Sequence, residues 1–133
     1  MVPRMTGAWH LQDDNAPLTG ERAVALVRQR VAQGQLETWL EHDQGKRLAV
    51  VSNRIRALVL LMDEPGDAGV HAIDPAGKGR QDGYVLGNGR RDIHENRDTL
   101  PLGLALRTVE HIVEHDCPPA DVSWQAPRDV DIS

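Results

Sequence analysis

LETWLEHDQGKRLAVVSNRIRALVLLM, residues Leu36 to Met62, decides the fold. Its first residues alternate, placing Leu36, Thr38 and Leu40 on one face and Glu37, Trp39 and Glu41 on the other, the pattern of a half-solvated strand that ends near His42. Gln44-Gly45-Lys46 then turns the chain into a second strand, Arg47 to Ser52. A polar break at Asn53-Arg54 separates it from a third, Ile55 to Met62, whose apolar run from Ala57 predicts a central strand covered on both faces. Connections this short favour an antiparallel meander, because parallel neighbours need a long crossover.

Upstream, the first 18 residues are rich in Asp, Asn, Pro and Gly without sustained periodicity, and are expected to form a flexible arm, 1–18. Thr19 supplies a cap for a helix from Gly20 to Gln33, in which Val24, Val27 and Val31 recur at helical spacing and Gly34 gives the stop. Downstream, Asp63-Glu64-Pro65-Gly66-Asp67 has the chemistry of a loop, followed by a short strand at Val70 to Ile73. A glycine-rich loop, Pro75 to Gly83, leads to a strand at Tyr84 to Leu86, a turn at Gly87-Asn88-Gly89 and a polar linker. A proline-started helix, Pro101 to Glu114, and a closing strand at Val122-Ser123-Trp124 complete the pattern. The fold class is α+β: a mostly antiparallel sheet of about five or six strands packed by two main helices. One domain spans 19–126, with a tail at 127–133.

Composition narrows the function. With 133 residues the chain fits one domain, and with 40% apolar against 26% charged residues it is globular. There is no Phe, so Trp9, Trp39, Trp124 and Tyr84 are the only aromatics, and Trp39 and Trp124, inside predicted strands, are the expected core tryptophans. The net charge of −5 is unevenly placed: residues 1–97 carry 13 acidic and 13 basic side chains, residues 98–133 carry 7 acidic against Arg107 and Arg128. An acidic end repels nucleic acid and favours a basic partner. Cys117 is the sole cysteine, so no intrachain disulfide forms, and neither a signal peptide nor a membrane span is evident; a cytoplasmic home follows as an expectation.

Three motifs carry chemistry at first sight. His111-Ile112-Val113-Glu114-His115 matches the H-x-x-E-H arrangement of inverted zinc peptidases, in which residues four apart on a helix grip one metal. The helical wheel opposes it, because Leu102, Ala105, Leu106, Val109, Ile112 and Val113 define the buried side and place both histidines towards water. Ala76-Gly77-Lys78-Gly79 suggests a phosphate loop but lacks the first glycine, the hydroxyl for magnesium and the following helix. Gly87-Asn88-Gly89 could cradle an anion with its amides, although Asn-Gly more often makes a plain reversal. Cys117, beside Glu114 and Asp116, lacks the cationic setting of a nucleophile. No catalytic residues, cofactor or metal are assigned.

The run Gly83-Tyr84-Val85-Leu86-Gly87-Asn88-Gly89, the polar segment to Leu100-Pro101, the helix, Pro118-Pro119 and Val122-Ser123-Trp124 resemble the C-terminal half of the immunity-protein-one family of bacterial polymorphic toxin systems. The resemblance covers residues 48–125 and departs at Arg90, where the pattern has glutamine after Asn-Gly. It implies a small cytoplasmic protein, not an enzyme, that binds and neutralises a cognate toxin domain, often a nuclease or a nucleic-acid deaminase, by stoichiometric inhibition. Glu110, Glu114, Asp116 and Asp121, on or just beyond the outer face of the second helix, are the expected contact with a basic toxin. Neither nucleic acid nor membrane is expected as a partner. The alternatives are a self-associating structural domain such as a homodimer, with Leu104 its visible apolar hint, and a zinc hydrolase using His111, Glu114 and His115.

Overall fold

The computed structural model describes residues 7–64 and 66–126. The expected tail at 127–133, with Arg128, Asp129 and Asp131, and Pro65 of the acidic loop lie outside them. Within these residues the chain is α+β. Strand β1 (Trp9–Leu11) precedes helix α1 (Gly20–Ala32), then come β2 (Glu37–His42), β3 (Arg47–Ser52), β4 (Arg56–Met62), β5 (Val70–Ile73), β6 (Arg80–Val85) and β7 (Arg91–Glu95). A single 3-10 turn (Asn96–Asp98), β8 (Leu100–Pro101), helix α2 (Leu102–His115) and β9 (Ser123–Gln125) follow. Seven strands form the main sheet in the order β1-β2-β3-β4-β5-β9, with β8 paired beside β5's place on β4; β6 and β7 form a separate hairpin. Every ladder is antiparallel.

Local chemistry sets the helix ends. The Thr19 hydroxyl accepts from the Arg22 amide at 3.1 Å, satisfying one orphan donor of α1, and Gly34 leaves the helix at φ +85. Pro101 stands at the amino-terminal cap of α2, and Asp116 closes its other end in the left-handed region at φ 60. Gly20 is where the two helices meet, because a Cβ there would come within 2.5 Å of Glu114 Cγ and 2.8 Å of the Glu110 carbonyl.

Register sorts the sheet into two faces. Leu40, Leu48 and Leu61 line up across β2, β3 and β4, as do Thr38, Val50 and Val59, and this face packs beneath both helices together with Ala23, Val27, Ala105, Val109 and Ile112. Thr108 joins the buried side of α2 by donating to the Leu104 carbonyl at 2.8 Å, which disposes of its hydroxyl. Trp39, Ala49 and Leu60 line up on the opposite face, where the hairpin lies against β3.

Two expectations are corrected. The strand covered on both faces is β3, buried from Leu48 through Ser52, whereas β4 alternates and leaves Leu58 and Leu60 partly exposed; the hairpin packs on β3 and does not shield these two completely. Trp9 rather than Trp39 or Trp124 is the core tryptophan, at 2% exposure, and it lies in β1, within the stretch 1–18 expected as an arm, of which residues 1–6 lie outside those described. Its indole donates to Asp116 Oδ1 at 2.8 Å and meets the His42 ring edge-on at 5.2 Å, so a contact 107 residues away holds the segment.

Candidate partner-binding surface

The acidic residues at the end of α2 differ in their partners. Asp116 faces inward, accepting from Trp9 and lying 3.5 Å from His42 Nε2, while its carbonyl receives Lys46 Nζ at 3.3 Å. Asp121 pairs with Arg107 at 3.0 Å, and that guanidinium holds its carboxyl below the ordinary carboxylate value. Glu114 is exposed but folds its stem over Gly20, which sets its charge beside the positive amino end of α1. Glu110 is half-buried. Two of the four acidic residues are thus engaged by side chains of the fold.

The His111 and His115 rings, one helical turn apart, lie 4.6 Å between centres with their planes tilted at 48°. Among the described residues no three His, Cys, Asp or Glu side chains are placed to hold a metal ion. Leu104, the expected apolar hint, is partly buried against the core. Among the described residues no helix is long and apolar enough to cross a membrane. Cys117 is exposed.

Both glycine motifs serve internal carboxylates. The Gly87 amide donates to Glu37 Oε1 at 2.8 Å, and Glu37 Oε2 accepts from the Trp39 indole at 3.0 Å, so the turn docks on β2 through an acid of this chain. Asn88 Oδ1 accepts from the Arg90 amide at 2.9 Å, and Arg90 Nε reaches Asp92 at 3.0 Å; the departing arginine therefore braces its own hairpin. In the other loop Asp74 Oδ1 takes the Ala76 amide, and β6 rather than a helix follows. Asp74 Oδ2 receives Arg56 Nη2 at 2.7 Å, the same nitrogen that donates to the carbonyls of Asn96 and Thr99, while Arg56 Nε donates to the Thr99 hydroxyl at 2.8 Å. This half-buried guanidinium ties β4 to the segment after β7.

Above that tie sits the hairpin's inner side. Tyr84 is fully buried, its ring edge-on to His94 at 4.8 Å. Burial pushes the Tyr84 phenol up, opposed by the Thr99 hydroxyl and the Arg56 charge. Burial likewise pushes His94 down, opposed by Asp92 and Asp98 and assisted by His71.

The outer side differs. Ile55 is 66% exposed and Ile93 61%, and both line one open groove of about 590 Å³ together with Asn53, Arg80, Gln81, Asp82 and Gly83. Alternation along β7 sends Arg91, Ile93 and Glu95 outward, and a bulge between Gln81 and Tyr84 sets Asp82 and Gly83 opposite Ile93. Gly83, at φ +90, has no side chain with which to cover it. Ile55 stands at the β3–β4 turn because Asn53 Oδ1 accepts from the amides of Ile55 at 3.0 Å and Arg56 at 2.7 Å, with Arg54 at φ 80. Asn53 Nδ2 then donates to Gln81 Oε1 at 2.9 Å and to the Asp82 carbonyl at 3.0 Å, fastening turn to hairpin. Exposed charges on the hairpin and its flanks are mostly basic, Lys78, Arg80, Arg90, Arg91 and Arg97 against Asp82 and Glu95, while Arg54 donates to the Val31 carbonyl at 3.3 Å, at the end of α1.

Compared with protein-family models, curated proteins and solved structures, the chain matches none.

The isoleucines escaped the sequence reading for different reasons. Ile55 falls at the start of the range expected for the third strand, and Ile93 falls in the expected polar linker. The signal for the second was present: in Arg91-Asp92-Ile93-His94-Glu95, period-two alternation puts the one apolar side chain on the same side as two charges.

Proposed function

We propose that this chain is an immunity protein that binds a cognate toxin domain, a nuclease or a nucleic-acid deaminase, and neutralises it with one-to-one stoichiometry. The observation that supports it most is a contrast: the conspicuous polar groups, Asp116, Glu37, Asp74 and Arg56, are bonded to neighbours in the fold, while two large apolar side chains stand out, Ile93 on the charged β6–β7 hairpin and Ile55 on the β3–β4 turn beside it. Exposed apolar groups rimmed by polar ones suit recognition by contact. The strand, Asn-Gly turn, proline-started helix and short tryptophan strand that carry the family resemblance occur here in that order.

The test is co-expression with the product encoded beside this chain, followed by light scattering on the eluted species and titration of the toxin's nuclease or deaminase activity. A one-to-one complex, with activity extinguished at one equivalent, is expected. Two purified components that elute separately and leave the activity intact overturn the proposal.

Self-association is the second reading, because the same exposed isoleucines could meet a second copy. A mass that doubles with rising concentration, in the absence of any toxin, would favour it. A zinc hydrolase draws on His111, Glu114 and His115; metal near one equivalent in the purified protein, with a hydrolytic activity lost in Glu114→Gln, would be needed to sustain it.

A further inference from the structure

We propose that a second copy of this chain pairs with it through the free edge of β7, antiparallel and with Ile93 of both copies on the two-fold axis. This gives the self-association reading above a definite contact and does not rest on the immunity role.

β7 is an edge strand. Among the described residues it pairs with β6 alone, and β6 is the strand of the hairpin that packs on β3. The Leu86 amide donates to the Arg90 carbonyl at 2.8 Å and the Asn96 amide to the Gly79 carbonyl at 2.9 Å, so backbone groups at both ends of β7 face the β6 side at even-numbered residues. The extra residue of the bulge lies on β6, which keeps the alternation along β7 unbroken. The N–H and C=O groups of Arg91, Ile93 and Glu95 therefore point to the other edge, and these same three residues are exposed. Such an edge is a template for a further strand.

Which strand it fits is set by its own sequence. Arg91-Asp92-Ile93-His94-Glu95 is its own complement when reversed. Across a two-fold axis at Ile93, Arg91 of each copy stands opposite Glu95 of the other, Asp92 opposite His94, and Ile93 opposite Ile93. On the exposed face two Arg–Glu pairs then flank an apolar contact, and every outward backbone donor meets an outward acceptor. Sliding the pairing by one residue sets outward groups against inward ones. Sliding it by two sets Asp92 against Asp92, or His94 against His94, and breaks both Arg–Glu pairs. An edge guarded against pairing carries charges that repel a second copy; this one carries opposite charges placed to attract it. The paired edge is 5 residues long, so the dimer is weak and its population follows concentration.

The test is sedimentation equilibrium of the purified chain at rising concentration, with no other protein present. The mass is expected to climb from one chain towards two, while the amides of Arg91, Ile93 and Glu95 gain protection from exchange. Arg91→Glu and Glu95→Arg each set like charges against one another at both ends of the strand pair, and each is expected to weaken association about tenfold. Mixed in equal amounts, the two variants bring Arg against Glu at both ends again, and association is expected to return to within about threefold of wild type. Glu95 also stands across the hairpin from Arg80, whereas Arg91 faces Val85, so Arg91→Glu carries the result if Glu95→Arg lowers the urea midpoint. A single-chain mass at every concentration overturns the proposal and leaves the immunity role untouched. A dimer that the charge variants retain, or whose protected amides lie on another element, associates through a different surface and overturns this contact.

Discussion

The two faces of the main sheet are cut from the same strands and finished by different means. Under the helices, Leu40, Leu48, Leu61, Val50 and Val59 meet Val27, Ala105, Val109 and Ile112, and side chains of similar size could replace one another with modest loss. Under the hairpin, buried apolar side chains are few: Ala49, Val51, Met62 and Tyr84 lie outside the helix-side cluster. The second layer is held instead by directional bonds, with Arg56 reaching Asp74, Asn96 and Thr99, Asn53 reaching Gln81 and Asp82, and Glu37 reaching Gly87. Apolar packing tolerates drift and supports the fold; a bonded layer fixes position, which is what a recognition surface needs.

The largest effect is expected where the helix side is pinned. Trp9→Ala removes the most voluminous fully buried side chain and strips Asp116 of its indole donor, which should cost about 3–5 kcal/mol in urea unfolding. Amides of β1 and of the last turn of α2 should lose protection from exchange together, since one bond joins them. A loss confined to β1 would show that Asp116 is held without Trp9 and would break the picture of a clamped face.

Next in size is the polar tie beneath the hairpin. Arg56→Met keeps the apolar stem but removes the charge, leaving Asp74 without its cation; the side chains are 13% and 20% exposed, so about 3 kcal/mol is expected. The informative measurement is native-state exchange resolved by strand. If the hairpin is a separately bonded layer, β6 and β7 should open well before β2 and β3 in this variant. Equal loss across both would mean that the two faces unfold as one unit.

How much of this could be read beforehand follows the same division. The helix-side elements announce themselves locally: the Thr19 cap and Gly34 stop of α1, the alternation from Leu36 to His42, the two exact ends of β3 and β5, and the apolar stripe of α2 all depend on residues a few positions apart. What escaped is non-local or carries little apolar signal. Three residues, Trp9 to Leu11, are too few to show a period, and they form a strand because β2 and Asp116 receive them. β7 presents one isoleucine among charges, and β8 is two residues that pair only because α2 must start beside β4. The candidate site suffered most. Sequence shows that Asp116 and Asp121 are acidic, but only the folded chain shows Trp9 and Arg107 already occupying them.

The smallest expected effect concerns pH and reads the hairpin layer alone. His94 is pushed below its ordinary value chiefly by burial, so the folded state resists its protonation. Above about pH 6.5 the ring is neutral in folded and unfolded chains and contributes nothing; as pH falls below that, the unfolded chain takes up the proton first and stability declines, levelling off once pH has passed the lower folded value. The carboxylates of the chain titrate over part of this range, so the comparison is between wild type and His94→Gln, whose stability difference should shift in favour of the variant from pH 7.5 to 5.5. Tyr84, the chain's only tyrosine, supplies an independent signal on the same layer: its absorbance change on ionisation should occur above the ordinary value of 10, and stability should be lost as pH rises from there. A Tyr84 that ionised at its ordinary value would mean that water already reaches the space between hairpin and sheet, and the hairpin would then be too loosely seated to present Ile93 in a fixed position.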